Sequence, residues 1–285
     1  MRRALVVACA SLVHAVLTRK AMVLSDEDAA QCAAWLAGSN ETTAETMNYM
    51  HAVTKRNGKG LQFQSSTTGF ASGARQDLEL WANFFKKRHA RSKSGVYAEV
   101  AANHYKITSN SYFFDVCLGW KGICVEPNTV YHDELRTKRT CELVPACVSS
   151  TANVSVTFAV PAGKAAGRHF FSADPAASGV YGKVVKGNSI PPGYKAQRIR
   201  CVRLADEFER LGVRHLDFLS LDVEGHDKQA LQGIDFDHVT IDYILCEQAR
   251  DCAGRLLPLG YKMHKLGIPA RYRDIVFVSP SAAQP

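Results

Sequence analysis

From residue 75 onward the apolar positions switch between two spacings. Short alternating runs suit strands, and stretches repeating every third and fourth residue suit helices. ARQDLELWANFFKK carries an amphipathic helical pattern, and GVYAEVAA after it reads as a strand. SNSYFFDVCLG then reads as a helix capped by Ser109, KGICVEP as a strand and TVYHDELRTKR as a helix. CELVPACVS and VSVTFAV read as further strands. Beyond them come the strand LDFLSLDVEG, the helix HDKQALQGI, the strand TIDYILCE, a helix near CAGRLLPLG and a closing strand in RDIVFVSP. Strands and helices alternating through short joins imply an α/β domain, a doubly wound and mainly parallel sheet covered on both faces.

One join is long. Residues 161–196 are rich in Gly, Ala and Pro, and a loop of that length is either functional or without fixed structure. Its Phe170, Phe171, Tyr181 and Tyr194 lie among Lys and Arg residues. That mixture suits a cover over a sugar or anionic acceptor, and equally a solvated insertion.

Upstream, SDEDAAQCAAWLAG predicts a helix with Ser25 as cap and acids in its first turn, and TTAETMNYMHAVTKRNGKG predicts a second helix. With the polar linker that follows, residues 25–71 form a short N-terminal helical extension, and residues 72–285 form the main domain. Residues 1–24 contain Arg2, Arg3, Arg19 and Lys20, no acid, and the apolar run ALVVACASLVHAVL. That run has fourteen residues, fewer than the ~20 that cross a bilayer. A signal or anchor segment for the secretory pathway (endoplasmic reticulum, Golgi or export) is the first reading, with membrane association through this segment. An organellar targeting segment and an ordinary amphipathic helix are the alternatives.

Composition changes the picture little. The 285-residue chain is ordinary for a globular protein, and its net charge of +8 favours anionic partners. The basic residues are scattered and no nucleic-acid-binding signature occurs, so no nucleic-acid partner is expected. Nine cysteines show no C-x-x-C or Cys/His spacing, and no metal site is expected. Cys124 and Cys246 fall inside strands, where cysteine usually serves as a small buried hydrophobe, while in a chain that enters the lumen some disulfides are expected, in pairings the sequence does not assign. Asn40-Glu41-Thr42 and Asn153-Val154-Ser155 are sequons, relevant only to a chain that enters a lumen.

The chemistry points to the strand ends. Ligands of doubly wound sheets sit beyond the carboxyl ends of the strands, where the strand order reverses. Glu99 lies near the end of the first strand, Glu126 closes the second, Asp222 and Glu224 close LDFLSLDVEG, and Glu247 closes TIDYILCE. An acid after the second strand is placed to accept both hydroxyls of a ribose. Taken singly, each acid also suits a helix cap. Asp222 and Glu224, two apart, are expected to project on one side of their strand.

Read together, Gln76-Asp77, VAAN followed by Ser109-Asn110, GWKGICVEPN and DFLSLDVEGHDKQALQGIDF resemble the FkbM-type methyltransferase family over residues 72–280. The SNS…LGWKGICVEPN portion also resembles Star-like proteins of secretory-pathway trafficking. The resemblance implies the class I methyltransferase fold, S-adenosylmethionine as cofactor and a hydroxyl of a sugar or small-molecule (glycan) acceptor as the methylated group. It implies Glu99, Ala101, Asn103, Glu126, Asn128 and Asp222 as cofactor-binding residues, with Glu126 on the ribose. Asp222, Glu224 and His226 become the candidate catalytic groups, Asp222 for positioning and His226 as a base. Where the family pattern runs approximately D-x-G-A-N-x-G, this chain has Glu99, Ala101 and Tyr105 in place of the acid and both glycines. That departure motivates the alternative of a non-catalytic interaction protein.

Overall fold

The computed structural model describes residues 17, 25–26, 28–30, 32–33, 71–92, 94–161, 194–223, 225–247, 249–268 and 273–282. Strands β1 (Val96–Val100), β2 (Lys121–Val125), β3 (Glu142–Val144), β7 (His215–Leu221), β8 (Thr240–Cys246), β9 (Lys262–Lys265) and β10 (Ile275–Val278) form a seven-stranded sheet. Its spatial order is β3-β2-β1-β7-β8-β10-β9. β1, β2, β3, β7 and β8 run parallel, and β10 lies antiparallel between β8 and β9. The expected doubly wound, mainly parallel α/β sheet is therefore present.

Strand alternation divides the core in two. Ala98, Val100, Ile123 and Leu219 face one side, packing with helices α4 (Leu204–Arg210), α5 (Asp227–Gln232) and α6 (Ala249–Leu256) through Phe208, Leu231 and Cys252. Tyr97, Cys124 and Phe218 face the other. There they meet α1 (Gln76–Leu80), the π-helical turns Trp81–Phe85 and Phe113–Cys117, and α3 (His132–Lys138), while α2 (Lys86–His89) continues the first turn. Gly122 is required by this second layer, because a β-carbon there would lie 2.0 Å from the Tyr97 ring. Trp120, 2% exposed, packs beneath the sheet as its neighbours imply.

The structure revises several expected elements. CELVPACVS is not one strand: β3 ends at Val144, and Cys147–Val148 forms β4 in a separate three-stranded sheet, ordered β4-β6-β5. Pro145 between them supplies no N–H to a ladder, so pairing stops there. β5 (Ser155–Pro161) and β6 (Tyr194–Val202) pair antiparallel, so the long join begins and ends in a hairpin, and residues 162–193 lie outside the described residues. Strand β6, helix α4 and edge strand β9 occupy stretches where the pattern predicts no element. In β6 the outward Arg198 and Arg200 alternate with inward Ile199 and Cys201, a two-residue period that is short and adjoins the long polar join.

The structure also assigns the cysteine pairings that the sequence left open. Cys124 and Cys246 are not free thiols in strands: the structure forms Cys32–Cys117, Cys124–Cys141, Cys147–Cys201 and Cys246–Cys252. Sequence spacing alone carried no sign of these pairings; strand register brings Cys147 to Cys201, and the packing of helices and loops on the sheet brings the other pairs together. Residues helical within 26–33 dock on the domain through Cys32–Cys117. Leu17, the described residue of 1–24, is buried in the first core layer. No helix among the described residues is long and apolar enough to cross a membrane. The second expected extension helix lies outside the described residues.

Cys124 and Cys141 are 17 residues apart and staple β2 to the residue before β3. Replacing both by alanine is expected to cost about 3 kcal/mol, from the loop entropy returned to the unfolded chain. Urea denaturation would read this as a lower midpoint with an equal or steeper slope, because the unfolded chain becomes less compact.

Candidate functional site

β1 lies between β2 and β7, so the chain leaves its carboxyl end where the strand order reverses. The connection there, residues 101–111, turns back sharply without glycine. Ala101 and Asn103 take the left-handed conformation, φ 63° and 56°. Asparagine tolerates this region, whereas alanine is strained there by about 1 kcal/mol or more. The N–H groups of Ala101 and Ala102 both donate to the Val125 carbonyl, at 2.9 and 3.1 Å. Tyr105 does not take a positive φ, so a glycine would give its backbone no advantage. Its half-buried ring lies against His104, with Lys138 Nζ 4.3 Å from its centre.

The acids divide by role. Glu99 is buried and accepts from Ser109 Oγ (2.8 Å), the Asn110 N–H (2.6 Å) and Ser111 Oγ (2.6 Å). Its carboxylate thus clamps the loop to β1. Glu126, 3% exposed, accepts the Asn103 N–H on one oxygen and the Asn128 N–H on the other, both at 2.7 Å. It ties the first loop to the turn after β2. Burial pushes its carboxyl up to about 7, although both amide bonds pull the other way. Each oxygen keeps a lone pair, so further acceptance from ligand hydroxyls remains chemically open. Asn128 accepts from the Val130 N–H through its side chain, at 3.1 Å.

The third group lies after β7. That strand ends at Leu221, so Asp222 lies beyond it and is exposed, and the two-residue alternation expected for Asp222 and Glu224 does not apply. The chain turns there instead, with Gly225 at φ 87°. Glu224 lies outside the described residues. His226 is half-buried at the start of α5, and its N–H bonds the Val223 carbonyl at 3.2 Å. The structure therefore joins Asn103 and Asn128 through Glu126, ties Ala101 to the Val125 carbonyl beside it, binds Glu99 to residues 109–111 of the same connection, and sets Asp222 and His226 at the neighbouring strand end.

Of the other residues here, Asn110 and Glu247 belong to the motif and to the strand-end acids already read from the sequence, whereas Arg139 carried no sequence signal. Asn110 Nδ2 donates to Ser220 Oγ at 3.0 Å, bridging the loop to β7. Asn110 Oδ1, and Glu247 Oε2 after β8, are buried acceptors without a hydrogen-bond partner among the described residues. A ligand carrying ammonium or hydroxyl donors would supply what these oxygens lack. Arg139, at the end of α3, looks like an ordinary exposed helix terminus in sequence and is fully buried in the structure. Its polar neighbours come from positions 97 to 115, too remote in sequence to be read.

Two clusters have metal-like spacing among the described residues. Asp227, Cys246 and Cys252 offer no thiolates, because the cysteines are paired. His215, Asp217 and Asp242 lie toward the amino ends of β7 and β8, opposite the site, and Arg88 already pairs with Asp217 at 2.5 Å.

Residues 99–252 match the family model of the methyltransferase FkbM domain, more than half of the chain. No curated protein and no solved structure matches the chain.

The raised carboxyl of Glu126 has a signed consequence. The folded state holds this proton more tightly than the unfolded state, so the stability it contributes is full below about pH 4.5 and lost as pH rises through about 7. Glu126→Gln abolishes that dependence. The stability of the wild type relative to this variant should fall by on the order of 3 kcal/mol between pH 4.5 and 8, read by denaturant titration at several pH values.

Proposed function

From a chain that belongs to the FkbM methyltransferase family, on its match over residues 99–252, we infer an S-adenosylmethionine-dependent enzyme that methylates a hydroxyl oxygen of a sugar or other small acceptor. The observation that carries this reading is the Glu126 link. The acid closing β2 reaches across to the first loop at the point where the strand order reverses. The loop keeps its left-handed turns although its glycines are gone, which supports retained cofactor binding over a purely structural remnant.

S-adenosylmethionine supplies an already activated methyl group on a sulfonium. What remains for the protein is to hold that group, align the acceptor oxygen and take its proton. Glu126 holds the ribose hydroxyls. Asn110 Oδ1 and Glu247 Oε2 receive the donors of the amino-acid end. Asp222 orients the acceptor, and His226 takes the proton that the acceptor hydroxyl loses. A compartment follows by the same reasoning. The four disulfides among the described residues, three of them closed within residues 124–252, are of the kind that form and persist in an oxidising lumen. The secretory pathway supplies one.

Calorimetric titration tests the reading. The wild type should bind S-adenosylmethionine, and Glu126→Ala should weaken binding about tenfold or more, on the order of 1.4 kcal/mol. Ala101→Gly should keep binding and relieve backbone strain, raising stability by up to about 1 kcal/mol. A wild type that binds no cofactor, joined to a double Ala101→Gly and Tyr105→Gly variant that does, would establish the non-catalytic interaction protein instead.

A further inference from the structure

We propose that Asn153 is a glycosylation site and carries an N-linked oligosaccharide. The proposal rests on the lumenal reading above, and not on methyl transfer. Its acceptor triplet, Asn153-Val154-Ser155, forms the turn that opens β5. Asn153 and Ser155 are exposed, whereas Val154 between them packs inward against Cys147, Ile199 and Cys201. The acceptor carboxamide and the hydroxyl that identifies the triplet therefore share the solvent side.

The turn also has the right backbone for an acceptor. Asn153 sits at φ 63°, which asparagine adopts more readily than other residues bearing a β-carbon. Its N–H donates to the Cys201 carbonyl at 3.1 Å, and the Cys201 N–H donates to the Val154 carbonyl at 2.8 Å. The triplet is thus pinned beside the Cys147–Cys201 disulfide, at the rim of the small sheet. A carbohydrate there extends into solvent and displaces no packed side chain. Across the hairpin Ser155 faces Arg200, which is exposed as well.

Chain order makes the modification compatible with that pinning. Cys201 follows Asn153 in the chain, so a chain entering the lumen from its N-terminus presents the acceptor before the cysteine that later fixes its turn. The donor class is a lipid-linked oligosaccharide, a glycan esterified to a polyprenyl diphosphate. The bond from Asn153 Nδ2 to the sugar C1 forms as the bond from C1 to the diphosphate oxygen breaks. The diphosphate departs with the electron pair, Nδ2 gives up one proton, and no redox change occurs.

The full chain with its own N-terminus would be expressed in a eukaryotic secretory host and treated with a peptide N-glycosidase in heavy-oxygen water. The Asn153 peptide should be recovered with its asparagine converted to heavy-oxygen-labelled aspartate. Ser155→Ala should remove one glycan step from the gel mobility, and Asn40→Gln should leave that step in place. Ser155→Ala is the better variant, because Asn153→Gln also strains the left-handed turn. Thiol alkylation of the same sample separates two failures. Unmodified Asn153 in a protein with Cys147–Cys201 closed would overturn the site alone, and unmodified Asn153 with free thiols would overturn the lumenal reading as well.

Discussion

The buried guanidinium of Arg139 holds the connection after β1 to the sheet. An arginine has five N–H donors, and here all of them are used. Nε bonds Asp115 (2.6 Å), one terminal nitrogen bonds the Tyr105 carbonyl and Ser109 Oγ (each 3.1 Å), and the other bonds Tyr97 OH (2.9 Å) and Ser111 Oγ (2.6 Å). Glu99 lies 3.6 Å away as a second counter-charge. A cation taken from water without this set would cost several kcal/mol, so every acceptor is constrained to its position. Those acceptors belong to β1, to the loop after it and to the following π-helical turn. The arginine therefore holds the glycine-free connection after β1 in one arrangement.

A second set of contacts acts on the same loop from outside. Asp28, in the helical stretch before the domain, accepts from Lys106 Nζ and Tyr112 OH, both at 2.6 Å. Burial raises its carboxyl, but these bonds and the Ser25 hydroxyl outweigh burial and hold it below the ordinary value. The Cys32–Cys117 disulfide fixes the same stretch to the π-helical turn. Ser72 forms a bridge with Thr108, and buried Asp77 gathers the Ala71 and Ser72 N–H groups beneath it. The loop is consequently held between an inner cation and an outer strap.

That rigidity bears on function. Glu99 and Glu126 look alike in sequence, two acids at strand ends, yet one is consumed within the loop and the other bridges two strand ends with lone pairs to spare. A site that binds a cofactor through preset acceptors loses little ordering entropy when the ligand arrives. Preorganised oxygens also suit a reaction whose electrophile arrives already activated, because alignment is then the protein's main task.

Local sequence pattern was enough to specify the layered sheet. Alternating apolar runs bounded by acids predicted β1, β2, β7, β8 and β10, and the combined motifs indicated the methyltransferase family. These features are local, because a strand face repeats every second residue and a helix face every third or fourth. Tertiary structure alone decided which cysteines meet, which acid is a clamp and which a bridge, and that Arg139 is buried. Each of those outcomes depends on residues distant in the chain arriving at one place. Cys147 meets Cys201 because β4 and β6 pair in register, and Arg139 is neutralised because β1 and the Asp115 turn converge on it. Hydrophobic period records which side of an element is buried. It carries no record of which other element arrives there, and the charges and thiols of this protein take their roles from that meeting.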